Sequence, residues 1–325
     1  MKAAICFSFG NPEVIQIGDR PMPVIKEREV LVRVRSAGVN FADLVIIAGN
    51  YQIKSEPPFV PGMEIAGEVI EVGRNVAEWS PGDRVVALLD GGGYAEYVAV
   101  PASRLFRLPS DLSFETGAAT FINYMTAFGA LHWRARLQPG ETCLVLGGAG
   151  GVGLASIVLA AQAGAKVIGA ASSAERCALM SSHGATETVD YGSSPLRDRV
   201  AELTGKRGVD VVIDPVGGEM GNLALRCIGW SGRIVALGFP AGAIPSYPAN
   251  ILLVKNAAAL GMFFGSYLDH ALEKVCHAVA TIQAGLIDKS IRTYKIEQAD
   301  GLGKLPELLK LVQTRRLAGK AVVTI

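Results

Sequence analysis

Three glycines, Gly148, Gly150 and Gly153, stand at the spacing G-x-G-x-x-G. The apolar run Leu144-Val145-Leu146 leads into them and reads as a short strand. Val152 to Ala161 follows and reads as a buried helix. A match to this pattern carries weight only at such a strand-to-helix junction, which is where it falls here. Glycines let the main chain turn sharply and let a pyrophosphate approach it closely. The free N–H groups and positive end of the following helix then attract the negative charge. Gly148, Ala149, Gly150, Gly151 and Val152 are therefore expected to line a dinucleotide's phosphates. An ordinary glycine-rich turn in an α/β domain is the alternative.

The elements around the motif change character along the chain. Glu29 to Arg35 alternates apolar and charged residues, as a half-buried strand does. Ile65–Gly73, Arg84–Leu88 and Tyr94–Val100 read as further strands, and Pro81-Gly82-Asp83 and Gly91-Gly92-Gly93 as turns. From about Thr116 helices and strands alternate: strands at Lys166–Ala170, Val209–Ile213, Arg233–Leu237 and Ala258–Phe263, helices at Ala174–His183 and Glu219–Ile228. That rhythm implies a parallel sheet covered by helices on both faces. The tail from Tyr267 has two helical stretches and a last strand, Lys320–Ile325, and is expected to return to the β-rich part. The expected division is 1–120 with 267–325 as one domain and 121–266 as the other.

Composition bounds the function. The chain has 325 residues, half of them hydrophobic, and a formal charge of +1. Near-neutral charge argues against general binding to nucleic acid or anionic membranes. The N-terminus lacks the apolar core and cleavage site of a signal peptide, and no apolar run is long enough to span a bilayer, so the expected location is cytoplasmic. The five cysteines, Cys6, Cys143, Cys177, Cys227 and Cys276, include no C-x-x-C pair. They read as reduced, mostly buried thiols with no structural zinc.

The end of the second strand of the parallel sheet indicates which dinucleotide. NAD-binding folds carry an acid about 20 residues beyond the glycines for the ribose 2′-hydroxyl. Here Ser172 and Ser173 stand at that tip, with Arg176 close behind. An acid would repel a 2′-phosphate, whereas a guanidinium and serine hydroxyls attract one. NADPH is therefore expected over NADH. Glu175 is the contrary residue, and a helix N-cap is the plain role of Ser172-Ser173.

Over nearly its whole length the chain resembles the medium-chain dehydrogenase/reductase superfamily. The resemblance lies in Ala37–Asp43, Val60–Gly67, the glycine loop, Asp210–Gly218 and Pro248–Asn256, and the last of these is similar to the quinone oxidoreductase branch. It implies an α/β protein in which a β-rich, GroES-like catalytic domain accompanies a doubly wound Rossmann domain. Zinc alcohol dehydrogenases carry Gly-His-Glu where this chain has Gly62-Met63-Glu64. Their ligand cysteine is replaced near Val39-Asn40, and their four-cysteine lobe is missing. A tetrahedral catalytic zinc needs three nitrogen, sulfur or carboxylate ligands, so no metal is expected.

By the same resemblance Asn40 and Asp43 line the cleft beside the nicotinamide, and Asn40 hydrogen-bonds a substrate carbonyl or oxyanion. A turn-forming residue and a helix N-terminal carboxylate are their plain alternatives. Tyr51 aligns with a tyrosine that donates a proton or a hydrogen bond; alternatively it packs on its loop. Thr126 resembles a residue packed by the nicotinamide ribose, and Tyr191 one near the 2′-phosphate. Gly238-Phe239 and Phe263-Phe264-Gly265 are expected at the nicotinamide half, and Lys320 to reach the cofactor from the tail. The implied reaction is metal-free hydride transfer from NADPH to a quinone. Reduction of an activated C=C bond (an enone or enoyl thioester) and NADPH binding without catalysis stay open. A homodimer is expected through the apolar stretch Ala257–Phe264 at a sheet edge.

Overall fold

The computed structural model describes residues 1–52 and 55–325. The chain packs as two compact units. The first comprises Met1–Ile122, Val279–Ile287 and Lys295–Ile325; the second comprises Asn123–Ala278 and Asp288–Tyr294. The tail thus leaves the second unit later than the expected position 267. Tyr267 stacks on Trp133 with ring centroids 4.6 Å apart, and Leu268 is buried, which holds the helix Phe264–His270 in the second unit.

The first unit is built on a seven-stranded sheet. Its order is Ile296–Asp300, Lys320–Thr324, Glu29–Val39, Glu64–Val72, Arg84–Leu88, Leu105–Arg107, with Tyr97–Pro101 paired to Glu29–Val39 off that path. The strand Glu29–Val39 outruns its alternating pattern by four residues. Ser36 to Val39 is buried throughout, so no polar face survives to mark it in the sequence. One side of this strand changes partner along its length: Glu29–Arg33 pairs with Tyr97–Pro101, and Ser36–Val39 with the C-terminal strand. The other side pairs with Glu64–Val72, with Gly38 opposite Glu64. Gly38 has no room for a side chain; a Cβ there would lie 2.2 Å from the Ala118 carbonyl oxygen and 2.4 Å from Glu64 Oε2.

The second unit holds six parallel strands in the order Glu187–Asp190, Lys166–Ala171, Thr142–Val145, Val209–Asp214, Ile228–Ala236, Ala258–Gly261. Numbered by sequence this is 3-2-1-4-5-6, the doubly wound order whose direction switches beside the first strand. Leu144, Leu146, Ile168, Val189, Val212 and Ile234 are buried in its core. Two strands differ from the expected spans. Ile228–Ala236 starts five residues before Arg233, across an irregular register with Ser231 at φ 61°. Ala258–Gly261 stops early because Phe264 opens a helix. Among the described residues no helix is long and apolar enough to cross a membrane.

Candidate functional site

Strand register brings four side chains together inside the first unit. Ala321 pairs with Val39, which sets Lys320 beside Asn40; Gly38 pairs with Glu64 on the other side. Lys320 is 2% exposed and Glu64 fully buried. The Lys320 ammonium donates to Glu64 Oε2 at 2.7 Å and to Asn40 Oδ1 at 2.5 Å. The Asn40 amide donates to the same Glu64 oxygen at 3.0 Å and to the Gly38 carbonyl at 3.3 Å. Glu64 Oε1 accepts from the Ile122 N–H, within the helix Phe114–Phe128, at 2.6 Å. Each charge in this core therefore has an opposite charge or a donor against it, as burial demands.

Asp43 extends the cluster. It lies in the first turn of the short helix Phe41–Ile47 and is fully buried. Its Oδ2 accepts from the Asn40 N–H and from the Tyr94 hydroxyl, both at 2.7 Å, while its Oδ1 is buried without a partner. Burial pushes the Asp43 carboxyl up to about 6, against the opposing pull of the Tyr94 and Asn40 hydrogen bonds and the Lys320 charge. The same burial, with the Asp43 charge next, raises the Tyr94 phenol well above its usual range. A turn at Gly49 carries the chain from this helix to Tyr51. Tyr51 is half-buried, and its phenol is also raised, by burial first and then by Asp43 and Asp90.

The residues expected to do chemistry here thus stand in different positions. Both amide hydrogens of Asn40 and its carbonyl are engaged inside the cluster, which leaves no donor for a substrate oxyanion. Lys320 is likewise committed to Asn40 and Glu64. Tyr51 remains partly open, as a weaker acid than a free phenol. Nothing in the local sequence gave Glu64 or Tyr94 a working role. Glu64 was visible as the retained acid of Gly62-Met63-Glu64, but its partnership with a lysine 256 positions away is a matter of strand register.

In the second unit the glycine loop leaves the central strand Thr142–Val145 at the switch point. The helix Gly151–Gln162 begins after Gly150, and no side chain caps its first turn. The Gly150 N–H bonds back to the Gly147 carbonyl at 3.0 Å, and within the helix the first bonded N–H is that of Leu154, to the Gly150 carbonyl at 2.8 Å. The N–H groups of Gly151, Val152 and Gly153 precede it and have no intrahelical partner. Gly150, Gly151 and Val152 are partly exposed, and a Cβ on Gly150 would find only the Gly147 oxygen, at 3.5 Å. Gly153 is the packing glycine: a Cβ there would lie 2.3 Å from the Gly147 oxygen and 2.7 Å from Gly148 Cα. Ala149 and Gly148 are buried beneath the turn.

Two neighbouring strand ends carry the expected phosphate discriminators. Ser173 caps the helix Ala174–Ser182 by accepting from the Arg176 N–H at 3.4 Å. The Arg176 guanidinium reaches Ser172 Oγ at 3.5 Å, and the Tyr191 N–H bonds to the Ala171 carbonyl at 3.0 Å. Ser172, Arg176 and Tyr191 thus share one corner, and Glu175 is exposed. Gly238 and exposed Phe239 follow the end of Ile228–Ala236. Phe263 is exposed, Gly265 half-buried, and the Phe264 side chain only 5% exposed, so its ring points into the unit. Thr126 is half-buried on the helix Phe114–Phe128.

Two outcomes follow for the buried cluster. Lys320→Met leaves a carboxylate in a dry interior and should cost about 3–5 kcal/mol of stability in denaturant unfolding; Glu64→Gln with Lys320→Met should recover much of that. Additive losses in the double variant would contradict the pairing. Asp43 binds its proton more tightly folded than unfolded. Its stabilising contribution is complete below the unfolded pKa of about 3.9 and lost as pH rises through about 6. Asp43→Asn should therefore gain on the wild type by up to about 3 kcal/mol between pH 4 and 7, since each tenfold difference in proton affinity is worth about 1.4 kcal/mol. A pH-independent difference would refute the buried titration.

Comparison with known proteins agrees with this architecture. Residues 26–110 match the alcohol dehydrogenase GroES-like domain, and residues 151–281 match the zinc-binding dehydrogenase family. A quinone oxidoreductase-like protein 2 homolog of Nematostella vectensis is 41% identical over 325 residues, covering 99% of this chain and 88% of the relative. The quinone oxidoreductase of Homo sapiens is 32% identical over 88% of this chain and 86% of its own. The Escherichia coli quinone oxidoreductase complexed with NADPH superposes with a TM-score of 0.94 at 27% identity, covering all of both chains. The chain belongs to the medium-chain dehydrogenase/reductase superfamily, in its quinone oxidoreductase-like branch.

Proposed function

We propose that the protein transfers hydride from NADPH to a quinone without a metal ion. NADPH, when bound, supplies the hydride, and the protein binds and orients the reactants. The turn Gly148, Ala149, Gly150, Gly151 and Val152 holds the pyrophosphate, through the free N–H groups of Gly151 and Val152 with the dipole of Gly151–Gln162 behind them. Ser172, Arg176 and Tyr191 hold the 2′-phosphate, and Thr126, Gly238, Phe239, Phe263 and the main chain at Phe264 and Gly265 face the nicotinamide half. Tyr51 donates a hydrogen bond to the acceptor oxygen. Asn40, Asp43 and Lys320 act as positioning residues: they fix the helix Phe41–Ile47 and hence the approach of Tyr51.

One observation carries the choice of acceptor. The charges beside Asn40 are spent on one another, so the cluster offers neither a free ammonium nor a spare amide hydrogen to activate a poor electrophile. A quinone needs little activation, because it is already electron-poor and becomes aromatic on reduction. Zinc does not fit the same residues. Met63 stands where the zinc enzymes have histidine, Asn40 Oδ1 faces an ammonium, and both Glu64 oxygens are engaged. Among the described residues no group of three or more His, Cys, Asp or Glu side chains is arranged to hold a metal. The NADPH-bound E. coli relative supports the cofactor. The cysteines, all free, suit a reducing compartment such as the cytoplasm.

Steady-state kinetics test this reading. Quinone reduction with NADPH should persist in a chelator and exceed turnover of 2-alkenals or enoyl thioesters. Arg176→Ala should raise the KM for NADPH roughly tenfold or more, the loss of a charged contact, with NADH little changed. Faster enone turnover would overturn the quinone assignment, and absence of all turnover with NADPH binding retained would point to a non-catalytic protein.

The assembly we propose is a homodimer through the edge strand Ala258–Gly261. Among the described residues its outer backbone edge pairs with no strand, and the adjoining helix Ala249–Lys255 exposes Leu253 (77%) and Val254 (78%). Light scattering should return the mass of two chains; a monomer mass refutes it.

A further inference from the structure

The parallel sheet of the second unit has a second feature at the end of its strands opposite the glycine turn. Thr142–Val145, Ile228–Ala236 and Ala258–Gly261 run parallel from that end toward the end that carries the glycine turn. There the chain forms an open basin of about 450 Å³, lined by Trp133, Arg134, Arg136, Ser231 and Arg233 and bordered by Ala258 and Leu260 of the edge strand itself, so a ligand there requires that a dimer seam leave this side of the strand open. Among the described residues no aspartate or glutamate lines it. We propose that this basin binds a multivalent phosphate, of the pyrophosphoryl class, at a site separate from the dinucleotide cradle.

The polar groups around the basin divide into spent acceptors and open donors. Arg233 takes up the acceptors. Its guanidinium donates to the Ala135 carbonyl at 2.6 Å, to the Arg136 carbonyl at 3.2 Å, and to both Glu141 oxygens at 2.7 Å. The nearby Asp210 carboxylate accepts from the Thr142 N–H at 2.7 Å. Arg233 and Glu141 thus cancel as charges and fix the floor. Arg134 and Arg136 are exposed, and among the described residues neither guanidinium has an ion pair or a hydrogen bond. The Ser231 hydroxyl, also exposed, has no partner among them either. Donors without acceptors select an anion. Two guanidinium forks suit a ligand with several oxygens better than a single-charged one. Arg136 follows its helix at φ 51° and Ser231 sits at φ 61°, both left-handed, so the backbone at these two positions is specified.

Calorimetric titration tests the site. Inorganic pyrophosphate and ADP are titrated into the full-length protein, with and without saturating NADPH, and compared with the variant Arg134→Gln/Arg136→Gly. Glycine keeps the left-handed turn while removing the guanidinium. Saturable binding that survives NADPH and weakens at least about tenfold in the variant, whose NADPH affinity is unchanged, is the expected result. Equal affinity for pyrophosphate and ADP assigns recognition to the phosphates alone; tighter ADP binding adds the nucleoside. No binding to the NADPH-saturated protein, or binding unchanged in the variant, overturns the proposal. Failure of NADPH itself to bind would sink the functional reading, while the cofactor-free titrations would still decide this one.

Discussion

The contact between Lys320 and Glu64 constrains the first unit more than any other. A buried ammonium and a buried carboxylate are each costly alone, and their attraction offsets that cost only if the remaining lone pairs and hydrogens also find partners. Asn40, the Gly38 carbonyl and the Ile122 N–H are those partners. Satisfying them forces three strands into one register, excludes any side chain at position 38, and ties the C-terminal strand to the start of the helix Phe41–Ile47. The Tyr51 segment inherits its place from that arrangement. Stability and site geometry are the same problem in this core.

The second unit meets its electrostatic task by other means. A phosphate-bearing ligand needs donors at short range, and the chain offers main-chain N–H groups rather than a cluster of side chains. Gly153 permits the packing of helix on loop, and the open space at Gly150 permits close approach. Main-chain donors lose little entropy on binding, since the sheet already holds them. Side chains enter at the corner of Ser172, Arg176 and Tyr191, where the proposed recognition is of one extra phosphate.

This contrast explains what was legible in the sequence. The glycine turn and the parallel sheet are local: Leu144 to Ala161 writes strand, turn and helix in consecutive residues, and glycines have few other reasons to stand at those spacings. The antiparallel strands at Arg84–Leu88 and Glu64–Val72 were legible from pattern and turn residues. The buried cluster was not. Asn40 and Asp43 drew notice through family resemblance, but their partners Tyr94 and Lys320 lie 51 and 280 positions away along the chain, and only register joins them. Likewise Phe264 reads as a continuation of an apolar strand, since periodicity cannot separate the end of a short strand from the start of a buried helix. The return of the tail was visible in its last strand, whereas the stacking of Tyr267 on Trp133, which delays it, has no local signature.

The pKa directions bear on the class of acceptor. Burial and neighbouring carboxylates both move the Tyr51 phenol away from easy proton release. Reducing an activated alkene ends with a proton delivered to carbon, a slow transfer that benefits from a donor whose pKa lies near the working pH. Reducing a quinone leaves charge on oxygen, which a hydrogen bond stabilises and which water protonates rapidly. A phenol kept neutral over the whole physiological range is a dependable hydrogen-bond donor and a poor acid. On the proposed reading Tyr51 serves an acceptor that ends as an oxyanion, because burial raises its phenol without removing the hydrogen it donates.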